Sequence, residues 1–80
     1  MAIKMLFFAQ CAEWIGKKEL LINQAEPVPV ADLILNHEEL NPILEHQEML
    51  TVAVNEEIAD FDTEVHDGDE VAIMPPVSGG

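Results

Sequence analysis

The hydrophobic pattern of the chain begins with a β-strand. In residues 2–10, apolar side chains occupy positions on both faces, which is typical of a strand that is buried on both sides at its centre. One face carries Ile3, Met5, Phe7 and Ala9, and the other carries Lys4, Leu6, Phe8 and Gln10. Residues 12–15 predict one helical turn that ends at Gly16 and packs Trp14 against the core. Residues 19–23 predict a second strand, which pairs with the first in a hairpin.

A helical pattern follows the second of two prolines, Pro29. Apolar side chains then recur every three or four residues on one stripe, which indicates a helix that covers one face of a sheet. The stripe consists of Val30, Leu33, Ile34, His37 and Leu40. We expect Asn41-Pro42 to end this helix, because a proline disfavours the helical conformation of the residue before it.

The rest of the pattern predicts two strands and a short one. Residues 49–55 and 70–74 alternate in the manner of strands, and Ile58 continues the chain briefly after a turn at residues 55–57. The sequence Asp-Gly-Asp at residues 67–69 is a strong turn signal before the last strand.

This order of elements predicts an α+β domain over residues 1–74. Strand, strand, helix, strand, short strand and strand is the order of a β-grasp domain, with a mixed sheet of about five strands and one main helix across one face. The first and last strands then lie side by side and parallel, joined by the helical crossover. The sheet face away from the helix carries an apolar patch that a monomeric domain does not need. It comprises Leu6, Phe8 and Met74, with Ile58 added by strand parity, and we expect it to bind a partner rather than to lie under loops.

The chain is strongly acidic. Sixteen acidic residues against three basic ones give a net charge of −13, and this field repels phosphate backbones and anionic lipids. We therefore expect neither nucleic acid nor membrane partners. The acidic surface serves either solubility or attraction to basic protein partners. An apolar fraction of 49% is high enough to form a core, which argues against disorder.

Cysteine and histidine offer little chemistry. Cys11 is the single cysteine, so we expect no internal disulfide and no cysteine-based metal site, which fits a reduced cytoplasmic protein. Because it follows an apolar run, we interpret Cys11 as a small buried hydrophobe rather than a nucleophile. His37, His46 and His66 have no paired spacing, and we predict no metal site.

The last six residues carry the strongest functional signal; they are Pro75, Pro76, Val77, Ser78, Gly79 and Gly80. The two prolines lack backbone donors, so they stop the last strand at Met74 and project a flexible tail, residues 75–80, into solvent. Glycine has no Cβ, so Gly79-Gly80 can pass through a channel too narrow for side chains and present the terminal carboxylate. An incidental tail on a binding module is the alternative.

Four segments together resemble a known family. They are Ile3-Lys4-Met5-Leu6-Phe7-Phe8-Ala9-Gln10, Val52-Ala53-Val54-Asn55, Asp67-Gly68-Asp69-Glu70-Val71-Ala72 and Pro75-Pro76-Val77-Ser78-Gly79-Gly80. In this order and at nearly full length, they are similar to the small subunit of molybdopterin synthase, a ubiquitin-like sulfur carrier. Two positions depart from the family pattern. Ala12 stands where the family often has an arginine that could form an ion pair with the partner, and Pro29 replaces the Ser or Thr expected at the helix start.

The resemblance implies a cycle at Gly80. An adenylating enzyme related to ubiquitin-activating enzymes would adenylate the Gly80 carboxylate with ATP, and a sulfur donor protein would convert it to a thiocarboxylate, the active form. The tail would then enter the large synthase subunit and give its sulfur to a cyclic pterin precursor. The implied assembly is a heterotetramer of two small and two large subunits, with no permanently bound cofactor and no enzyme activity in this chain alone.

The resemblance also implies roles for particular residues. Gly80 would react and Gly79 would be a steric requirement, while the large subunit would bind Leu6, Phe8, Ile58 and Met74 on the sheet and Pro75, Pro76, Val77 and Ser78 in the tail. Two related functions stay open: a sulfur carrier of another pathway, such as the thiamine type, and a ubiquitin-like protein modifier that forms isopeptide bonds.

Overall fold

Seven strands and a layer of short helices make up residues 1–76, the part of the chain that the computed structural model describes. The strands are β1 (Ile3–Phe7), β2 (Glu19–Ile22), β3 (Val28–Pro29), β4 (Thr51–Val54), β5 (Glu57–Ala59), β6 (Glu64–Val65) and β7 (Glu70–Met74). The α-helices are α1 (Gln10–Ile15), α2 (Val30–Leu35) and α3 (Asn41–Glu45), with short 3-10 helices at Glu38–Leu40 and Gln47–Met49.

Five of the strands form one mixed sheet in the order β2-β1-β7-β4-β5. β1 and β7 are parallel, with Met5 beside Val71, and the other neighbouring strands are antiparallel. The predicted parallel pairing of the first and last strands is therefore confirmed. β3 and β6 form a separate two-stranded sheet, which alternation did not predict because each strand contributes only two residues.

The core lies between the sheet and the helical layer. Its buried apolar side chains include Ile3, Met5 and Phe7 from β1, Val71 and Ile73 from β7, Val30, Leu33 and Ile34 from α2, and Leu40 and Ile43 beyond α2. Full burial of one large apolar side chain contributes about 1.5 to 3 kcal/mol, so this cluster is the main source of stability. The predicted strand faces are confirmed, since the odd positions of β1 and β7 are buried and the even positions are not.

β1 is shorter than predicted because the chain turns at Ala9. This residue has φ 50° and ψ −123°, a conformation that costs about 1 to 3 kcal/mol for a residue with a Cβ. The Cys11 amide closes the turn by donating to the Phe8 carbonyl at 3.0 Å, and α1 begins at Gln10. The prediction that Ala9 lies on the buried face of the strand was wrong, because Ala9 is exposed.

The predicted helix is divided. α2 ends at Leu35, and a 3-10 helix and α3 continue the layer. Asn41-Pro42 begins α3 instead of ending a helix, because a proline in the first turn lacks only a donor that has no helical partner there. The apolar stripe is otherwise as predicted, with Val30, Leu33, Ile34 and Leu40 fully buried and His37 half-buried.

α2 starts at Pro29 without a side-chain cap. The amides of Val30 and Ala31 donate instead to the carbonyls of Thr63 and Phe61, each at 2.9 Å. The loop before β6 thus supplies the acceptors that a Ser or Thr side chain provides at many helix starts. This is why Pro29 can stand at the position of the usual cap.

Candidate functional site

The sheet face away from the helices carries a row of apolar side chains. The strand register places Leu6, Ala72, Ala53 and Ile58 side by side on β1, β7, β4 and β5. The two alanines make the middle of the row shallow, whereas Ile58 on the edge strand is 76% exposed. Leu6 and Ile58 therefore share a face, as strand parity predicted. They are three strand spacings apart, roughly 14 Å.

Phe8 and Met74 lie at the end of the sheet where β1 and β7 stop. The Phe8 amide donates to the Ile73 carbonyl at 3.1 Å, which extends the parallel pairing by one residue. Phe8 is 47% exposed, and Leu6 and Met74 are half-buried. The structure therefore gathers Leu6, Phe8 and Met74 at one end of the face, and we term these three residues the exit patch. Ile58 lies outside the exit patch.

The tail, residues 75–80, begins next to the exit patch. β7 ends at Met74, as predicted, after which Pro75 is half-buried and Pro76 is exposed. Because β7 runs parallel to β1, the tail starts at the end of the sheet that holds Phe8. Four predicted site residues lie outside the described part of the chain, and their roles stay predictions: Val77, Ser78, Gly79 and Gly80.

A groove opens beside the exit patch, between α1 and the β1–β2 hairpin. This groove, termed the Ala12 groove, is lined by Leu6, Phe7, Phe8, Ala9, Ala12, Glu13, Lys18 and Glu19. Its lining is mainly apolar, and its three charged residues are exposed. The sequence pattern did not predict the groove, since it forms only when α1 folds back beside the hairpin. The one signal in the sequence was the small side chain of Ala12.

Cys11 is fully buried, and this burial raises the pKa of its thiol. The thiolate is the reactive form of cysteine, so a raised pKa makes Cys11 a poor nucleophile. The interpretation of Cys11 as a small buried hydrophobe is confirmed.

Trp14 packs against the core, as predicted, and stacks on His46 with ring centroids 4.2 Å apart. His46 Nδ1 lies 2.9 Å from the Pro42 carbonyl oxygen, so the stacked pair links α1 to α3. Within residues 1–76, no group of three His, Cys, Asp or Glu side chains is placed to hold a metal ion. In the same range, no helix has the length and apolar character needed to cross a membrane.

Polar side chains form a cluster at the other end of β7. Asn55 Nδ2 donates to Asp69 Oδ1 at 3.1 Å, and the Glu70 amide donates to Asn55 Oδ1 at 3.0 Å. The His66 amide donates to Asp69 Oδ2 at 2.7 Å. The hydrogen bond from Asn55 is the main cause that lowers the pKa of Asp69 below its ordinary value of 3.8, and the His66 amide lowers it further. These four residues, termed the entry cluster, fix the β4–β5 turn to the start of β7.

Comparison with known proteins assigns the chain to a family. The model of the ThiS family matches residues 5–80. The chain belongs to the ThiS family. This ThiS-family chain is 37% identical over 83 residues to the molybdopterin synthase sulfur carrier subunit of Escherichia coli. The aligned region covers 98% of this chain and 99% of that protein. The protein of the same name from Chlamydomonas reinhardtii is 36% identical, with 100% of both chains covered. The resemblance drawn from the four sequence segments is confirmed.

Solved structures confirm the ubiquitin-like β-grasp fold of this ThiS-family chain. The putative molybdopterin converting factor, subunit 1, of Pyrococcus furiosus has a TM-score of 0.77 at 29% identity and covers 96% of this chain and 99% of that one. SAMP1 of Haloferax volcanii, named small archaeal modifier protein 1 in a second structure, has a TM-score of 0.78 at 27% identity with both chains fully covered. The protein-protein complex of subunits 1 and 2 of the molybdopterin-converting factor from Helicobacter pylori has a TM-score of 0.66 at 25% identity, again with full coverage of both chains.

Proposed function

We propose that this ThiS-family protein is the sulfur carrier subunit of a molybdopterin synthase. The observation that carries the proposal is its full-length similarity to two proteins of that name, at 37% and 36% identity. The position of the tail supports it, because residues 75–80 follow directly from the strand that ends in the exit patch. A carrier needs docking and delivery on one side of the domain, and this arrangement provides both.

The sulfur is carried on the Gly80 carboxylate. A carboxylate is a poor acylating group, so an adenylating enzyme first uses ATP to attach AMP as a leaving group. Sulfur at the oxidation level of sulfide, released by a sulfur donor protein, then attacks the acyl carbon, displaces AMP and leaves a thiocarboxylate. The α-carbon of Gly80 carries no side chain, so the sulfur nucleophile meets little steric hindrance at the acyl carbon.

The described residues of this chain provide docking rather than acid–base chemistry. Cys11 is buried with a raised pKa, and Asp69 accepts hydrogen bonds at the end of β7 far from the tail. We therefore assign the acid–base groups and the pterin pocket to the large subunit. The tail brings the sulfur to them.

The exit patch, Leu6, Phe8 and Met74, is the docking surface for that large subunit. The complex of subunits 1 and 2 from H. pylori supports a partner of this kind, and two small and two large subunits form the expected assembly. Full burial of each patch side chain contributes about 1.5 to 3 kcal/mol before the cost of association. Pro75 and Pro76 lead the chain from this surface into the partner's active site, and Ile58 marks the outer limit of the surface.

Intact mass spectrometry tests the proposal. The chain is produced together with its adenylating enzyme and sulfur donor, and a gain of about 16 Da marks exchange of one carboxylate oxygen for sulfur. The purified thiocarboxylate should then convert the cyclic pterin precursor when the large subunit is added. Unchanged sulfur transfer by a chain that lacks Gly79 and Gly80 would contradict the proposal.

A protein modifier is the second candidate function. The fold similarity to SAMP1 of H. volcanii favours it. In that case Gly80 ends in an isopeptide bond to a target lysine, and immunoblots of cell extracts show a ladder of larger adducts. The two candidates differ in this readout, since a thiocarboxylate that only donates sulfur forms no such ladder.

A further inference from the structure

We propose that the Ala12 groove accepts an apolar side chain of the large subunit, and that a basic group of the same partner lies next to it. The inference rests on the proposed function. It adds a second contact, beyond the exit patch, and states the chemistry that the partner presents there.

The apolar lining of the groove comes from β1 and α1. Leu6 and Phe8 form its sheet side, and Ala12 forms its helix side. Phe8 leaves 47% of its surface in water, so an apolar occupant removes surface that the isolated domain cannot bury. Ala12 ends at its Cβ, which keeps the groove open where a longer side chain would fill it.

Three backbone amides of the groove lining already donate within the domain. The Phe7 amide donates to the Lys18 carbonyl at 2.9 Å, the Phe8 amide to the Ile73 carbonyl at 3.1 Å, and the Ala12 amide to the Ala9 carbonyl at 3.1 Å. An apolar side chain needs no hydrogen bond, so it fits a lining that is mainly apolar and in which these three amides are already bonded.

The charged residues of the groove are available to a partner. Glu13, Lys18 and Glu19 form no ion pair within residues 1–76, whereas Lys17 pairs with Glu39 at 3.2 Å. Two carboxylates against one ammonium leave the groove acidic, in a chain of net charge −13. Complementary charge on the partner is then a Lys or Arg beside the apolar side chain.

The groove also lies where it can orient the tail. It shares Leu6 and Phe8 with the exit patch, and the Phe8 amide is bonded to the residue that precedes Met74. A side chain seated against Phe8 therefore holds the strand end from which the tail departs. Contact at the groove fixes the direction of the tail as well as adding affinity.

Calorimetric titration with the large subunit from the same organism tests this inference. Ala12→Leu fills the groove and is expected to raise the Kd by about tenfold or more. The matched control is Ala31→Leu, also a half-buried alanine in a short helix, which should leave the Kd unchanged. Melting temperatures of all variants show whether the domain is still folded.

Ala12→Arg is the sharper variant. Its aliphatic stem occupies the groove while its charged head stays in water, so it can be accommodated even if Ala12→Leu destabilises the domain. The inference predicts weaker binding for Ala12→Arg. If the partner presented a carboxylate at this place, binding would tighten, and the inference would be overturned. Glu13→Gln should also weaken binding and reduce its dependence on salt.

The possible outcomes separate this inference from the proposed function. If folded Ala12→Leu and Ala12→Arg bind as tightly as the unaltered chain, the Ala12 groove is not a contact, although the carrier function stands. If the unaltered chain does not bind the large subunit at all, the carrier function itself fails, and the inference fails with it.

Discussion

The two ends of β7 are built from different kinds of contact. At the entry cluster, where the strand begins, Asn55, Asp69 and the His66 amide exchange hydrogen bonds within the domain. At the exit patch, where the strand ends, Phe8 is exposed and Met74 is half-buried, and no element within residues 1–76 covers their apolar surface. Hydrogen bonds made inside the domain stabilise it without a partner, whereas apolar surface left in water gains free energy only when something covers it.

This difference separates the stability of the domain from its binding. Changes at the entry cluster should alter the free energy of unfolding and leave binding of the large subunit unchanged. Changes at the exit patch should do the reverse.

Phe8→Asp should abolish binding of the large subunit with little loss of stability. It removes an aromatic side chain and places an unpaired carboxylate in the interface, and we expect the Kd to rise by about a hundredfold or more. Since Phe8 is 47% exposed, the melting temperature should change little. Size-exclusion chromatography of the mixed subunits checks this. Ile58→Asp, on the same face but three strands away, should have a smaller effect, and an equal effect would extend the interface to β5.

Gly79→Val should block delivery of the tail without affecting docking at the exit patch. A β-branched side chain at this position obstructs a narrow channel, and we expect the yield of thiocarboxylate to fall by more than about tenfold. Intact mass gives the yield, and Gly79→Ala should lose less. Normal adenylation and sulfur transfer by the Val variant would refute the steric role of Gly79.

Asn55→Ala should destabilise the domain by about 1 to 3 kcal/mol and leave the Kd for the large subunit unchanged. The substitution removes the hydrogen bonds to Asp69 and from the Glu70 amide. It also leaves an alanine at a φ of 51°, which asparagine tolerates better. Urea unfolding measures the loss. Asn55→Gly, which relieves the backbone strain, should recover part of it, and the remainder is the contribution of the side chain.

Salt should slow the association of the large subunit and leave its dissociation almost unchanged. The net charge of −13 attracts a basic partner over a distance that salt screens beyond about 8 to 10 Å, whereas the exit patch is apolar. We expect the association rate to fall by about tenfold from low to high NaCl. Stopped-flow mixing checks this. A flat association rate would show that the acidic surface serves solubility alone.

Acid should weaken the entry cluster through Asp69. Its pKa in the folded domain lies below the ordinary 3.8, so its ionised form contributes stability that is fully present above that value and is lost as the pH falls through the folded pKa. The stability difference between the unaltered chain and Asp69→Asn should therefore be constant above about pH 5 and shrink below 3.8. Urea unfolding at several pH values measures it. A difference that stays constant at acid pH would mean that folding does not lower the pKa of Asp69.

Local patterns predicted the strands of the parallel pair well. Apolar side chains alternate between the two faces over residues 70–74, and this segment lies between a strong turn signal and two prolines. The structure gives β7 the same bounds. Side chains also alternate between two faces in residues 2–10, but no residue typical of turns marks the end of β1. The positive φ at that end falls on Ala9, an alanine. The helix was placed correctly at its start and wrongly at its end, because a proline that stops one helix is equally suited to the first turn of the next.

The candidate site was also predictable only in part, because a local pattern does not show how the strands are arranged in the sheet. Strand parity placed Leu6, Phe8 and Ile58 on one face, and the register then showed that Ile58 is remote from the other two. Parity tells which face a side chain lies on, but not which strands are neighbours. The order of strands in the sheet decided that.

The sequence by itself determined the buried faces of β1 and β7, the order along the chain of the five strands of the main sheet, and the Gly79-Gly80 pair, because each of these depends on neighbouring residues. Tertiary structure alone decided that Asn55 meets Asp69, 14 residues away, and that Ala12 faces the β1–β2 hairpin across a groove. Such contacts depend on strand register and on how a helix packs against a sheet. No local periodicity encodes either, because both are set by the simultaneous burial of side chains from distant parts of the chain.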